Sequence, residues 1–154
     1  MKFYPIVLLL GILSMLVSIT AASWKTPLPV ELAVVVHKSN PLTSLSEVEV
    51  RTYYLSLSER NWPNTHLPII AVQKKESCLE KELFCAQILH MSSDDVERYF
   101  TNKQFHNLPV QSFANDAEVL AFITQEPGAI GYVNVQSLTP QVRSQVKVLS
   151  TVSI

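Results

Sequence analysis

Apolar and polar positions alternate along this chain between strand-like runs and helix-like stripes. Residues 31–37 read Glu-Leu-Ala-Val-Val-Val-His. Their unbroken apolar centre, rich in β-branched side chains, predicts a strand buried on both faces, as in parallel sheets lying under helices. Lys38-Ser39-Asn40-Pro41 ends it, because the residue before a proline is driven out of the helical region. A helix is expected from Ser44, with Glu47 closing a capping box, and Val50, Tyr53, Tyr54 and Leu57 recur at helical spacing. Asn61-Trp62-Pro63-Asn64 reads as a turn. Residues 67–72 read as a second strand, with Pro68 confined to its start.

A second capping box pairs Ser77 with Glu80 and opens a helix whose apolar stripe is Leu79, Leu83, Ala86 and Leu89. Ser92-Ser93-Asp94-Asp95 caps a third helix carrying Val96, Tyr99 and Phe100. Residues 107–112 read as a short extended piece. Asn115 and Glu118 frame a fourth helix, with Val119, Phe122 and Ile123 facing inward, and Glu126-Pro127-Gly128 stops it. Residues 129–133 and 146–149 complete the strands. The order β-α-β-α-α-α-β-β predicts an α/β fold of three layers, a mainly parallel sheet with helices on both faces. No internal repeat or second domain is visible.

The amino terminus follows a different pattern. Lys2 precedes a nearly unbroken apolar run over residues 6–19, and Thr20-Ala21-Ala22 follows. A charged start, an apolar centre and small residues at the end are the marks of a signal peptide, expected to span residues 1–22. A retained membrane anchor over residues 3–22 is the competitor, but Pro5, Ser14, Ser18 and the small-residue end favour cleavage. Cleavage after Ala22 would leave residues 23–154 as a single lobe, periplasmic or secreted and with no membrane span.

Composition then removes several classes of function. The whole chain carries 12 basic and 13 acidic residues, so nothing draws it to nucleic acid. Beyond the apolar run the only glycines are Gly128 and Gly131, too few for a glycine-rich phosphate loop or a dinucleotide fingerprint. Two cysteines, Cys78 and Cys85, exclude zinc ribbons and disulfide scaffolds. Seven positions of helix separate them, about 10.5 Å, beyond the roughly 7 Å that a disulfide spans, so reduced thiols are expected, with a bridge formed in an oxidising compartment as the alternative. His37, His66, His90 and His106 lack metal-ligand spacing. No Gly-x-Ser-x-Gly elbow occurs, and Asp94 and Asp95 read as helix-start charge. The expectation is a protein without cofactor, metal or catalytic residues.

The best anion candidate is Ser77 with Lys74 and Lys75, since a helix N-terminus offers free N–H groups and about half a positive charge. Glu76 and Glu80 lie in the same turn and oppose it, and a plain capping serine is the alternative. Ser44 and Ser39 allow the same reading more weakly. Gly128 and Gly131 either let a ligand approach the backbone or serve as helix stop and packing gap. Trp62, Tyr53, Tyr54 and Tyr99 read as core aromatics.

Several of these pieces together resemble a known family. Val34-Val35-Val36-His37-Lys38-Ser39-Asn40-Pro41 with Leu45-Ser46, Tyr54-Leu55-Ser56 with Trp62-Pro63, and Tyr99-Phe100 with Phe105 and Pro109 are similar to segments of the phosphate-binding proteins of ABC transporters. Pro127-Gly128-Ala129-Ile130-Gly131-Tyr132-Val133 matches that family's signature at every position. The resemblance covers about residues 32–133. It implies one lobe of a two-lobed periplasmic binding protein, with a small oxyanion as ligand; the alternative is a protein-interaction or sensory accessory that keeps the fold without a ligand site, its partner another protein or a second copy of the chain. In the family the second strand is followed by Arg-x-Asp-x-Ser-Gly-Thr. Here Gln73, Lys75 and Leu79 replace the arginine, aspartate and threonine, and only Ser77 remains. The tentative ligand set is therefore Ser77, Lys74, Lys75, Ser39, Gly128 and Gly131. A lone lobe desolvates one side of an ion. Two or three charge-assisted bonds of about 1.5–3 kcal/mol, set against at least about 4 kcal/mol of lost freedom, predict affinity near millimolar.

Overall fold

The computed structural model describes residues 29–102 and 109–154. The expected signal peptide, the start of the extended piece at Asn107, and Phe105 and His106 lie outside the described residues.

The elements are β1 (Glu31–His37), α1 (Glu47–Tyr54), β2 (Ile70–Lys74), α2 (Leu79–Leu83) running into a π-helical stretch (Phe84–Leu89), α3 (Ser93–Thr101), β3 (Val110–Phe113), α4 (Asp116–Ile123), β4 (Ala129–Asn134), a 3₁₀ turn (Val135–Ser137), α5 (Pro140–Arg143) and β5 (Val146–Ser153). The strands form one five-stranded sheet in the order β3-β2-β4-β1-β5. Helices cover both faces, so the α/β, three-layer expectation is met. Leu32, Val34 and Val36 of β1 pack with Tyr54, Phe84, Ile88 and Val96 on one side. Ala33 and Val35 pack with Val119, Leu120 and Ile123 of α4 on the other.

Strand direction corrects one expectation. β2 is parallel to β3 and to β4, but β1 runs antiparallel to both its neighbours, β4 and β5. Four strands thus share a direction and β1 alone opposes them. Its apolar run is buried on both faces as expected. Double burial follows from having helices above and below, and it holds whichever way a strand runs.

Local capping departs from the sequence reading at two helices. α1 begins two residues later than expected: Ser46 is the N-cap, its hydroxyl accepts from Glu49 N–H, and Glu49 completes the box. Leu45 is buried and donates its N–H to the carbonyl of Leu149 at 2.9 Å, which holds Ser44 and Leu45 outside the helix. At α2 the N-cap is Cys78, with no side-chain cap, and Ser77 donates instead to Glu82 Oε1 at 2.6 Å. The expected stripe also shifts. Leu79 and Ala86 are exposed, while Phe84, Cys85, Ile88 and Leu89 are buried, because the helix starts later and changes to π winding at Phe84.

The α3 and α4 caps fall as read, with Ser92 and Asn115 accepting from Asp95 N–H and Glu118 N–H. α4 ends at Thr124, so Gly128 does not stop it, and no glycine takes a left-handed φ among the described residues. Trp62 and Tyr54 are core aromatics, each 1% exposed. β5 is longer than expected, reaching Ser153, and α5 was not foreseen.

Candidate functional site

In an open α/β sheet the strands' carboxyl ends face the helix N-termini and the connecting loops, and ligands bind there. Here that end is formed by Lys74 of β2, Phe113 of β3 and Asn134 of β4. The start of β1 joins them, because Leu32 is in register with Asn134. Lys74 is 6% exposed. Its ammonium reaches the sheet face covered by α4, where Nζ lies 2.7 Å from Asp116 Oδ1 and 3.8 Å from Glu80 Oε2.

Asp116 is the first residue of α4. Its other carboxylate oxygen accepts from the Asn134 N–H at 2.9 Å and from Ser137 Oγ at 2.7 Å. Asn115 fixes the start of this helix by accepting from Glu118 N–H at 3.0 Å, while Glu118 accepts in return from Ala114 N–H at 2.9 Å. A cation, a backbone N–H and a hydroxyl from β2, β4 and the 3₁₀ turn thus converge on one carboxylate. The Lys74 contact is an ion pair without hydrogen-bond geometry at Oδ1, whereas the Asn134 and Ser137 bonds to the carboxylate are charge-assisted; removing one partner of a buried pair costs about 3–5 kcal/mol.

On the opposite sheet face, Gln73 is buried and donates from Nε2 to Ser112 Oγ at 3.2 Å. Its carbonyl oxygen has no donor among the described residues. Beside it Tyr132 accepts the Lys74 N–H at 3.5 Å, stacks on Phe84 with ring centroids 4.0 Å apart, and has its phenol pKa driven upward by burial. A guanidinium at Gln73 would bring charge to this face. An amide brings none.

The residues singled out in the sequence do not form one constellation. Lys74, Lys75 and Ser77 lie at the carboxyl end, with the Lys75 and Ser77 side chains exposed. Ser39 lies at the opposite end. β1 runs against β4, pairing Val36 with Ile130, so the turn after β1 sits near the start of β4. Seven residues of strand separate the two ends, roughly 20 Å. There Ser39 bonds with His37 Nδ1 at 2.7 Å.

Gly128 also lies at that opposite end. Its carbonyl accepts from Ile70 N–H at 2.9 Å and Trp62 Nε1 at 3.0 Å. A Cβ there would stand 2.1 Å from the Pro68 carbonyl oxygen. Gly131 is mid-strand under α4, where a Cβ would meet Val72 and Ile123 at 3.1 Å. Both glycines are places of close packing. Cys78 and Cys85 are free, and burial pushes the Cys85 thiol up to about 11.

Asp116, Asn134 and Ser137 were not found from the sequence. An acidic residue at the first position of a helix is ordinary dipole chemistry. Only the pairing of β2 with β4, under α4, shows that it faces Lys74.

No protein-family model matches the sequence, and no curated protein matches it. Solved structures do. A protein from Clostridium perfringens described as a phosphate ABC transporter substrate-binding protein, with bound phosphate, superposes with TM-score 0.58 at 17% identity, over 80% of this chain and 45% of its own. An ABC-type phosphate transport receptor from Vibrio cholerae gives TM-score 0.59 at 16% identity, over 80% and 46%. PstS from Borrelia burgdorferi gives TM-score 0.59 at 12% identity, over 80% and 48%. The chain spans less than half the length of each. Its fold is therefore similar to that of a portion equal to about half of each of those proteins.

Proposed function

We propose that this chain is an exported, non-enzymatic module that keeps the substrate-binding-protein fold, takes up free phosphate at about millimolar strength at best, and acts through a protein partner. The observation that carries the reading is the 2.7 Å contact between Lys74 Nζ and the Asp116 carboxylate. It engages the buried cation that an oxyanion at this end of the sheet would need. Two further features support it. Ser77, the one residue left from the family's anion motif, spends its hydroxyl on Glu82. Gln73 supplies an amide where the family has a guanidinium. Absence of catalysis rests on the neighbours, which are described as substrate-binding and transport proteins.

A second reading has one observation in its favour, the bound phosphate in the Clostridium perfringens structure. In it, exposed Lys75 and Ser77 hold a small oxyanion against the start of α2. Calorimetric titration of the monomer with phosphate and sulfate separates the two. The proposal expects no saturable heat at micromolar concentrations. Micromolar affinity in a proven monomer overturns it and leaves the second reading.

A further inference from the structure

We infer that Asp116 is a tethered anion: its carboxylate fills an oxyanion-binding position built by Lys74, the Asn134 N–H and Ser137, so the lobe carries its ligand's equivalent within its own chain. The inference rests on the proposed function, and names the residue that keeps free anions out.

Three observations lead to it. The donor set is of the kind that holds carboxylate or phosphate, combining a cation, a main-chain N–H and a hydroxyl. These donors come from separate elements, β2, β4 and the following turn, and meet on a group supplied by a fourth, α4. The cation is buried, with its side chain 8% exposed, so it is not a solvated surface charge that happens to have a neighbour. Such a position sits where open α/β sheets bind ligands, beyond the strands' carboxyl ends. The first turn of α4 adds the favourable end of a helix dipole. Glu80 Oε2, 3.8 Å from Lys74 Nζ, opposes an incoming anion.

A tethered group competes at an effective concentration that a dissolved anion does not match. Shortening Asp116 should therefore create a vacancy that small anions enter. The test is thermal unfolding of the full chain and of the Asp116→Ala and Asp116→Ser variants, in formate, acetate or phosphate, against chloride at equal ionic strength. Serine is tolerated at a helix start, so the second variant keeps α4 nucleated. The expected result is a wild type that shows only the non-saturable salting-out trend of these anions. Both variants should have a lowered Tm that formate restores in a saturable way, and adding Lys74→Met should abolish the restoration. A variant that gains no more from formate or phosphate than from chloride overturns the inference and leaves the Lys74–Asp116 pair a structural bridge only. Tight phosphate binding by the wild type is a different failure, since it removes the proposed function. If such binding is unchanged in Asp116→Ala, both fall together.

Discussion

Trp62 and Gly128, far apart in sequence, meet through a hydrogen bond from the indole N–H to the glycine carbonyl at 3.0 Å. The same carbonyl takes the Ile70 N–H, which ties the turn before β2 to the start of β4. Pro68 closes over this point so tightly that a methyl group would stand 2.1 Å from its carbonyl oxygen. The glycine-bearing signature is accordingly a feature of assembly, where the backbones of two segments approach. Gly128→Ala should destabilise the protein by more than about 2 kcal/mol, as overpacking against backbone does. Gly131→Ala, whose new methyl meets side chains at 3.1 Å, should cost less. Urea unfolding of the two variants gives the order, and equal midpoints would contradict it.

Ile130 is fully buried in β4 and belongs to the cluster under α1 and the π-helical stretch. Ile130→Ala should cost about 2–5 kcal/mol through lost transfer energy and a residual cavity. Chemical denaturation checks this, and a loss below about 1 kcal/mol would place the side chain outside a close-packed core.

The layered α/β fold was legible because two periodicities carry it. The unbroken apolar run at Val34–Val36 and the signature at Ala129–Val133 read as buried strands, and Ser92 and Asn115 read as caps. Strand direction was not legible, because Leu32–Val36 would look the same in either sense. Burial records what lies above and below a strand, and direction depends on which neighbours it meets. The misplaced α1 start has the same origin. Ser44-x-x-Glu47 and Ser46-x-x-Glu49 are equally good boxes, and the Leu45–Leu149 backbone bond, invisible in sequence, chooses between them. The site was half legible for this reason too. Lys74 was seen, whereas Asp116 acquires meaning only from the packing of α4 on β2.

The two thiols should differ in reactivity. Cys85 is buried, with its thiol pushed up to about 11, while Cys78 is half-buried at the helix start. Since the thiolate is the nucleophile, alkylation of native protein should label Cys78 first by a wide margin. Peptide mapping after brief exposure to iodoacetamide reads the ratio, and equal labelling would contradict the burial of Cys85.

Ser77 should matter to acid stability. Hydrogen bonds from Ser77 and then Ser93 hold the Glu82 carboxyl below its ordinary value of 4.5. A carboxyl depressed in the folded state stabilises at pH above its unfolded value, and that contribution is lost as pH falls through the lowered one. Ser77→Ala should therefore be less stable than wild type at neutral pH, and the gap should close as the pH drops below about 4.5. Unfolding midpoints across pH 3 to 7 test this. A gap independent of pH would mean that Ser77 acts on something other than Glu82.

The buried cation at the carboxyl end of the sheet is already engaged by Asp116. Nitrogen-15 NMR of the lysine side-chain ammonium groups tests it most directly. A buried, ion-paired ammonium exchanges slowly enough with water to be seen, so Lys74 should give a distinct resonance. That resonance should stay unmoved in millimolar phosphate and disappear or shift in Asp116→Ala. A Lys74 resonance that titrates with phosphate in the wild type, saturating at micromolar concentration, would mean that Asp116 does not hold the cation against a free anion.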